Sequence, residues 1–267
     1  GVAEYLVRLG VNISVDPSIQ VQFVDSIINN ILSVPGTSYA EIINVKNLFD
    51  RMGINDFTIF VNDTRLANNL FNAGFTNLTL DPSIIGKPSM SNIVAILAQN
   101  AIANGDVATA VEYINANSSI VYNLINAGLY EIVNYPGLDT MNVTNALDQI
   151  WINDPSALNN ITINAGTNVE LAKVAAAYGM EFTYDDSIRS EIFESLKDML
   201  LNNAFLTSQD VTNIMSAFEK LGYAGEVITA MIKPTIEKLK IGGDKKKKDG
   251  KYKTTAEELE KYIDAHE

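Results

Sequence analysis

Cysteine is absent from the 267 residues, and histidine occurs once, at His266. Without cysteine the chain has no disulfides, no thiolate metal ligands and no cysteine nucleophile. A catalytic triad needs an imidazole held in place, and His266 lies beside the last residue of the sequence, where a chain frays. We therefore expect no catalytic residues and no metal site.

Phosphate-binding loops are also missing. The sequence contains neither G-x-G-x-x-G nor G-x-x-x-x-G-K-[ST], and the nearest stretch, IIGKPS at 84–89, lacks the first glycine and the hydroxyl. No nucleotide cofactor is expected. A hydrolase that uses only carboxylates stays open as a less favoured alternative, because two acids across a cleft can do such chemistry.

No apolar run approaches the 18 or so residues that a membrane-spanning helix needs, and no basic-then-apolar leader precedes the body of the chain. We expect a soluble protein that has no membrane partner. The sequence does not fix its compartment.

Basic residues are scarce in most of the chain, whose formal net charge is −13. Residues 238–253 are the exception, with eight lysines and two aspartates. An acidic body repels nucleic acid. The run from Lys245 to Lys248 could contact phosphates or an acidic partner weakly, so a nucleic-acid-associated protein is the alternative function; the contacts would be Lys245, Lys246, Lys247 and Lys248.

The sequence does contain a long internal similarity. Shifting the chain by 169 residues aligns residues 2–54, the first copy, with residues 171–223, the second copy, without a gap. Ser26 meets Ser195 and Asn44 meets Asn213, and most differences keep their chemistry. Such self-similarity is typical of repeat architectures, in which each unit buries its apolar face against the next one.

Looser relatives lie between the two copies, at 62–74, 117–128 and 166–179. Each combines an apolar stripe at helical spacing with a final glycine, which indicates a helix that closes on a left-handed residue. Aspartates that precede the following segments are good N-caps. The predicted structural caps are Gly10, Gly53, Gly74, Gly128, Gly179, Gly222, Asp16, Asp81 and Asp185.

These patterns predict an all-α fold, an α-solenoid-like helical repeat array of about four units with short extended connectors and a C-terminal tail helix. We expect the connectors to be extended linkers; a small sheet is the alternative. FTIFVND at 57–63 could be a strand. The predicted repeat domain covers 1–240, with units at 1–54, 55–117, 118–165 and 166–223 and a closing helix at 224–240.

Glycine and lysine dominate residues 241–253, which predicts a flexible linker. Residues 254–267 then carry a narrow apolar stripe, Leu259, Tyr262 and Ile263, which predicts a helix that docks on the body or on a partner.

Ala265-His266-Glu267 resembles the small-x-Glu sites at which head proteases of large tailed phages cleave capsid and internal proteins. The resemblance implies a processed virion component, although Gly1 equally fits the remnant of a tag. Our functional prediction is a structural or interaction protein, a scaffold or assembly subunit that binds protein partners, a second copy of itself included.

Overall fold

The protein is predominantly helical, as the sequence predicts. The structure is a computed structural model that describes residues 1–202, 206–246 and 251–266. Its α-helices are α1 Val2–Arg8, α2 Gln20–Ile27, α3 Tyr39–Met52, α4 Thr64–Asn72, α5 Pro82–Ile85, α6 Ser91–Ala103, α7 Val107–Ala116, α8 Ile120–Asn126, α9 Thr140–Asn153, α10 Val169–Ala177, α11 Arg189–Asn202, α12 Ser208–Lys220, α13 Gly225–Lys246 and α14 Lys251–His266.

Short 3-10 and π segments extend several of these helices. A π segment at Ile28–Leu32 prolongs α2, and 3-10 turns lie at Pro17–Ile19, Pro88–Met90, Tyr130–Asn134, Pro155–Asn160 and Asp186–Ile188.

Among the described residues, four short strands form two parallel pairs. β1 (Ile59–Val61) pairs with β2 (Leu78–Leu80), with Ile59 opposite Leu78. β3 (Thr162–Asn164) pairs with β4 (Glu181–Thr183), with Thr162 opposite Glu181. One helix separates the strands of each pair, α4 in the first and α10 in the second. Each pair is therefore a compact strand–helix–strand unit.

The chain divides into two compact units. The first comprises Gly1–Gly128 and Pro136–Asn142, and the second comprises Leu129–Tyr135 and the described part of Val143–Glu267. In the first unit, Phe49 and Phe75 are fully buried and pack edge-to-face with Phe57. In the second, Phe193 and Phe218 are buried with ring centroids 4.8 Å apart.

The helices of the two copies correspond at the 169-residue offset. The 3-10 turns that precede α2 and α11 begin at Pro17 and Asp186, and α3 and α12 begin at Tyr39 and Ser208. Their entry caps agree as well. Ser38 accepts a hydrogen bond from the Glu41 N–H, and Thr207 accepts the equivalent bond from the Asp210 N–H.

The connectors are where the sequence expectation was wrong in part. Residues 78–80 and 181–183 were expected to be unpaired, yet they are β2 and β4. Residues 129–135 alternate like a strand but contain the 3-10 turn Tyr130–Asn134. The alternating pattern is the same whether or not a partner strand exists nearby, so pairing is a tertiary property. The strand suggested within 57–63 is confirmed as β1.

The flexible linker predicted at 241–253 is also wrong over its described part. α13 continues through Pro234 to Lys246, and α14 begins at Lys251 rather than at residue 254. Lysine is a good helix former, and extending an existing helix costs far less than starting one. The rest of that stretch, 247–250, lies outside the described residues.

The tail helix docks within the second unit. α14 packs on α12 and α13, and Leu259 and Ile263 of its apolar stripe are buried. Because α14 covers part of the second unit's core, it belongs to the fold of that unit.

Candidate interaction surface

The first helix is held against the first unit by polar contacts along its inner side. Glu4 accepts hydrogen bonds from Ser26 Oγ at 2.6 Å and from Asn30 Nδ2 at 2.8 Å, and Arg8 forms an ion pair with Glu41. The Ser26 hydroxyl is the main reason why the pKa of Glu4 is lowered. These contacts fix the rotation of α1 about its axis.

A glycine–asparagine contact fixes the end of the same helix. Asn44 Nδ2 donates to the Arg8 carbonyl oxygen at 2.8 Å, and Gly10 follows with a φ of 75°. A Cβ on Gly10 would lie 3.0 Å from Asn44 Oδ1, so a side chain there would collide with the asparagine as well as strain the backbone. The second copy repeats the contact through Asn213, whose Nδ2 donates to the Ala177 carbonyl oxygen at 2.9 Å.

The outer side of α1 is apolar and exposed. Val2, Tyr5 and Leu9 lie at i, i+3 and i+7, so they share one side of the helix, and all three are largely exposed. We call these three residues the α1 face. Nine of the twelve large hydrophobic residues that are exposed within the described structure lie in the first 60 residues. Large exposed apolar patches are typical of interaction sites, so the α1 face is the candidate surface of this chain.

Three apolar positions that are exposed in the first copy, one in α1 and two after it, are covered in the second copy. Val2 is 77% exposed, whereas Leu171 is 8% exposed; Val11 is 44% exposed, whereas Met180 is 4% exposed. Ile19 and Ile188 are both isoleucine, and their exposed fractions are 50% and 6%. The amino acids stay apolar in both copies, so the difference lies in what covers them.

Two elements of the second unit pack on the segment that corresponds to α1 and its connector. β3 pairs along β4, directly beside Met180. From α9, Trp151 stacks on Tyr178 with ring centroids 5.1 Å apart, and Asp148 accepts a hydrogen bond from the Tyr178 hydroxyl. Burial, followed by this carboxylate, raises the pKa of Tyr178. Trp151 is half-buried in this stack.

The connector after α1 has an open edge. Residues 12–14 align with β4, but in the first copy they form no strand and pair with none of the described strands. The backbone groups of Asn12, Ile13, Ser14 and Val15 make no hydrogen bond with any described residue. We call Asn12–Val15 the open edge. It begins three residues after Leu9 of the α1 face.

A groove lies further along the first copy. Its volume is about 400 Å³, and its lining includes Gln20, Val24, Asp25, Ile54 and Phe57. A second, more polar cleft of about 620 Å³ lies on the other side of residues 55–58 and is lined by Thr76, Asn100, Asp106 and neighbouring side chains.

In the second copy, stacked aromatic side chains fill the position that corresponds to the first groove. Phe193 and Tyr223, which align with Val24 and Ile54, stack with centroids 3.9 Å apart. Arg189, which aligns with Gln20, lies 4.8 Å above the Tyr223 ring and donates from Nε to the Leu221 carbonyl oxygen. The groove is thus a place where the first copy lacks side chains that the second copy has.

The predicted structural caps lie at helix and turn ends. Asp16, Asp81 and Asp185 each accept a hydrogen bond from the backbone N–H two residues on, at 2.8–2.9 Å. Hydrogen bonds from Ser18, Ser83 and Ser187 hold the pKa of these three carboxyls below their ordinary value. Positive φ angles occur at every predicted glycine cap: Gly10, Gly53, Gly74, Gly128, Gly179 and Gly222.

The four lysines predicted to contact phosphate are only partly described. Lys245 and Lys246 end α13, and Lys247 and Lys248 lie outside the described residues, as does Glu267 at the end of the small-x-Glu tripeptide. The phosphate contact and the virion role therefore stay predictions. Asn44, Asn213 and the open edge were missed, although the identity of Asn44 with Asn213 was a visible sign.

Two features are absent from residues 1–202, 206–246 and 251–266. Nowhere in that part of the chain do three or more histidines, aspartates or glutamates gather in an arrangement that could hold a metal ion. No helix among the described residues has both the length and the apolar character needed to cross a membrane.

Comparison with protein-family models, with curated proteins and with solved structures finds no significant match.

Proposed function

We propose that the protein is a non-enzymatic interaction protein, a helical repeat scaffold or assembly subunit that binds a protein partner at the α1 face. The observation that carries the proposal is the contrast between the copies. Apolar positions that are buried at Leu171, Met180 and Ile188 are exposed at their equivalents in the first copy.

The proposal includes a stacked architecture. In a helical repeat array each unit has one apolar face, and stacking the next unit completes its core. The matched elements of the two copies, their Asn44 and Asn213 contacts, and the strand–helix–strand units support such an array. An uncovered apolar face on a repeat unit is the place where a further element would add.

Burial of the face would contribute substantially to binding. Transferring apolar surface out of water is worth about 25 cal/mol per Å², and aromatic anchors such as Tyr5 often dominate an interface. The other polar groups of α1, Glu4 and Arg8, already have partners inside the first unit. The outward face is therefore free of charge and needs no ion-pair partner.

The test compares native assemblies formed by three versions of the chain in its natural source. Tyr5→Ser combined with Leu9→Ser makes the α1 face polar without touching the core. Ile152→Ser, at an exposed apolar site in the second unit, is the matched control. We expect the unchanged chain and the control to migrate above the mass of a single chain and the double variant to migrate at that mass, with equal melting temperatures.

Migration of the unchanged chain as a free monomer in that material would refute the proposal. So would a double variant that stays in the assembly. Loss of assembly in the Ile152→Ser control would show that exposed apolar residues act without regard to place, which also contradicts an interaction site at α1.

A further inference from the structure

In both described strand pairs, the two strands begin 19 residues apart along the chain. β1 begins at Ile59 and β2 at Leu78, and β3 begins at Thr162 and β4 at Glu181. Each pair is parallel and flanks one helix. The fold thus builds the same strand–helix–strand unit twice.

The first copy has the helix and the second strand position of such a unit but no described first strand. α1 aligns with α10, and residues 12–14 align with β4. Ile13 is half-buried, whereas Phe182 at the equivalent position is 4% exposed and lies opposite Ile163. A strand beside residues 12–14 would cover Ile13 as β3 covers Phe182.

Hydrogen bonding points the same way. In the second copy the Ala165 N–H donates to the Thr183 carbonyl oxygen at 2.9 Å, and the Asp185 N–H donates to the Gly166 carbonyl oxygen at 2.8 Å. The equivalent acceptor and donor in the first copy are the Ser14 carbonyl oxygen and the Asp16 N–H. Neither is bonded to a described backbone group in this way. Unpaired strand edges are templates for pairing with another chain.

Resting on the proposed interaction function, we propose that the open edge is a strand-acceptor site, to which an extended segment of a different protein chain adds as a parallel strand. Main-chain hydrogen bonds would supply affinity, and alternate side chains would supply specificity. The open edge would bind an uncharged segment in which aliphatic and polar residues alternate. The internal donor segment shows this pattern, with Ile161, Ile163 and Ala165 buried and Thr162 and Asn164 exposed.

A second copy of the chain fits this site less well. A two-fold axis that pairs the open edge with itself would make the strands antiparallel, whereas both internal pairs are parallel. The described residues after Gly225 are helical, so they offer no extended segment for head-to-tail addition. Both observations weigh against residues 1–267 of a second copy as the donor.

The test supplies the internal donor segment to the full chain. One version carries a copy of residues 159–169 placed directly before Gly1, the same separation that the segment has from the rest of the second copy. The matched control carries the same eleven residues with the position of Ile163 changed to aspartate. Since both versions restore the helix cap at the position of Asn168, they differ only in their ability to add a strand.

The readout is amide hydrogen exchange of residues 13–16, with the synthetic peptide 159–168 added to the unextended chain as a second arm. Exchange at Asp16 should slow about tenfold or more in the extended chain and in the presence of excess peptide, because exchange then requires the added strand to open. The aspartate control should exchange at the rate of the unextended chain.

Unchanged exchange in the extended chain would overturn the strand-acceptor site. Protection that appears in the unextended chain only as its concentration rises, with a doubled mass by light scattering, would overturn it too, because a second copy would then be the occupant. Neither result affects the α1-face variants. If those variants leave the assembly while residues 13–16 stay unprotected, the interaction function stands and only strand addition fails.

Discussion

Asn44 donates a hydrogen bond from Nδ2 to the carbonyl oxygen of Arg8, across 36 positions of the sequence, at a distance of 2.8 Å. The bond satisfies one of the carbonyl groups that the end of α1 leaves without a helical partner. Asn213 does the same for Ala177. The two contacts join the first and third helices of each copy.

Replacing either asparagine should therefore destabilise the fold. We expect Asn44→Ala and Asn213→Ala each to lower the free energy of unfolding by about 1–2 kcal/mol, because a part-buried carbonyl loses its donor. Urea unfolding followed by circular dichroism measures the change. Asn153→Ala removes an exposed bond to the carbonyl of Gln149 and is the control, with an expected change within about 0.5 kcal/mol. Equal losses at all three sites would contradict the assignment.

The aspartate caps should make stability fall in acid. Because hydrogen bonding lowers the pKa of Asp16, Asp81 and Asp185 in the folded chain, their contribution is fully present above the unfolded carboxyl pKa of about 3.9. It is lost as pH falls through the lower, folded pKa. A triple Asp→Asn variant keeps an acceptor at each cap but cannot titrate there.

Melting temperatures of the two proteins measured from pH 7 down to pH 2 test this expectation. The unchanged chain should be the more stable at neutral pH, and the difference should shrink below pH 4. A difference that stays constant over the whole range would show that the caps do not titrate with folding.

The aromatic stack of the second copy should be worth more than its aliphatic counterpart. Tyr223→Ile gives the second copy the residue that the first has at Ile54, and we expect a loss of about 1 kcal/mol from the stack with Phe193. The reverse change, Ile54→Tyr, adds a ring beside a groove of about 400 Å³ and should cost nothing. A larger loss from Ile54→Tyr than from Tyr223→Ile, in the same unfolding assay, would contradict this account.

The tail helix should be an integral part of the second unit. Leu259 is fully buried where α14 meets α12 and α13, so Leu259→Ala should lower the free energy of unfolding by about 2–4 kcal/mol. Asp264→Ala, on the exposed side of α14, is the control. If Leu259→Ala were neutral, α14 would not be docked in solution.

Binding of nucleic acid, if the lysine run contributes it, should be weak and governed by salt. With four lysines against a net charge of −13, we expect binding of single-stranded DNA only at low ionic strength, with a logarithmic salt slope of about −3. Changing Lys245 to Lys248 together to glutamine should abolish it. A salt-independent affinity, or one that survives those changes, would place any such contact elsewhere.

Some of this structure could be read from the sequence because its causes are local. A glycine after an apolar stripe closes a helix wherever it occurs, and an aspartate before a turn finds the N–H two residues on, as Asp16 does with Ser18. The lysine run misled for a related reason. Its composition is typical of linkers, while lysine itself is compatible with a helix such as α13.

The open edge could not be predicted in this way. VNISVD and MEFTYD have the same alternation, yet only the second contains a paired strand, since pairing depends on a segment elsewhere in the fold. The role of Asn44 was likewise hidden. Its identity with Asn213 marks the position as notable, but its partner, the Arg8 carbonyl, is known only once the helices are in place.

The groove is open in the first copy and filled by aromatic rings in the second, and this difference affects how the chain avoids misfolding. Two segments that close their helices with the same asparagine contact could exchange equivalent helices while the chain collapses, or between neighbouring chains at high concentration. Phe193 and Arg189 of α11 both contact the Tyr223 ring. The equivalent residues of α2, Val24 and Gln20, line the groove and could not make these ring contacts. Because the copies differ at these few positions, an exchanged helix would pack less well, and the difference at the groove would disfavour such misfolding.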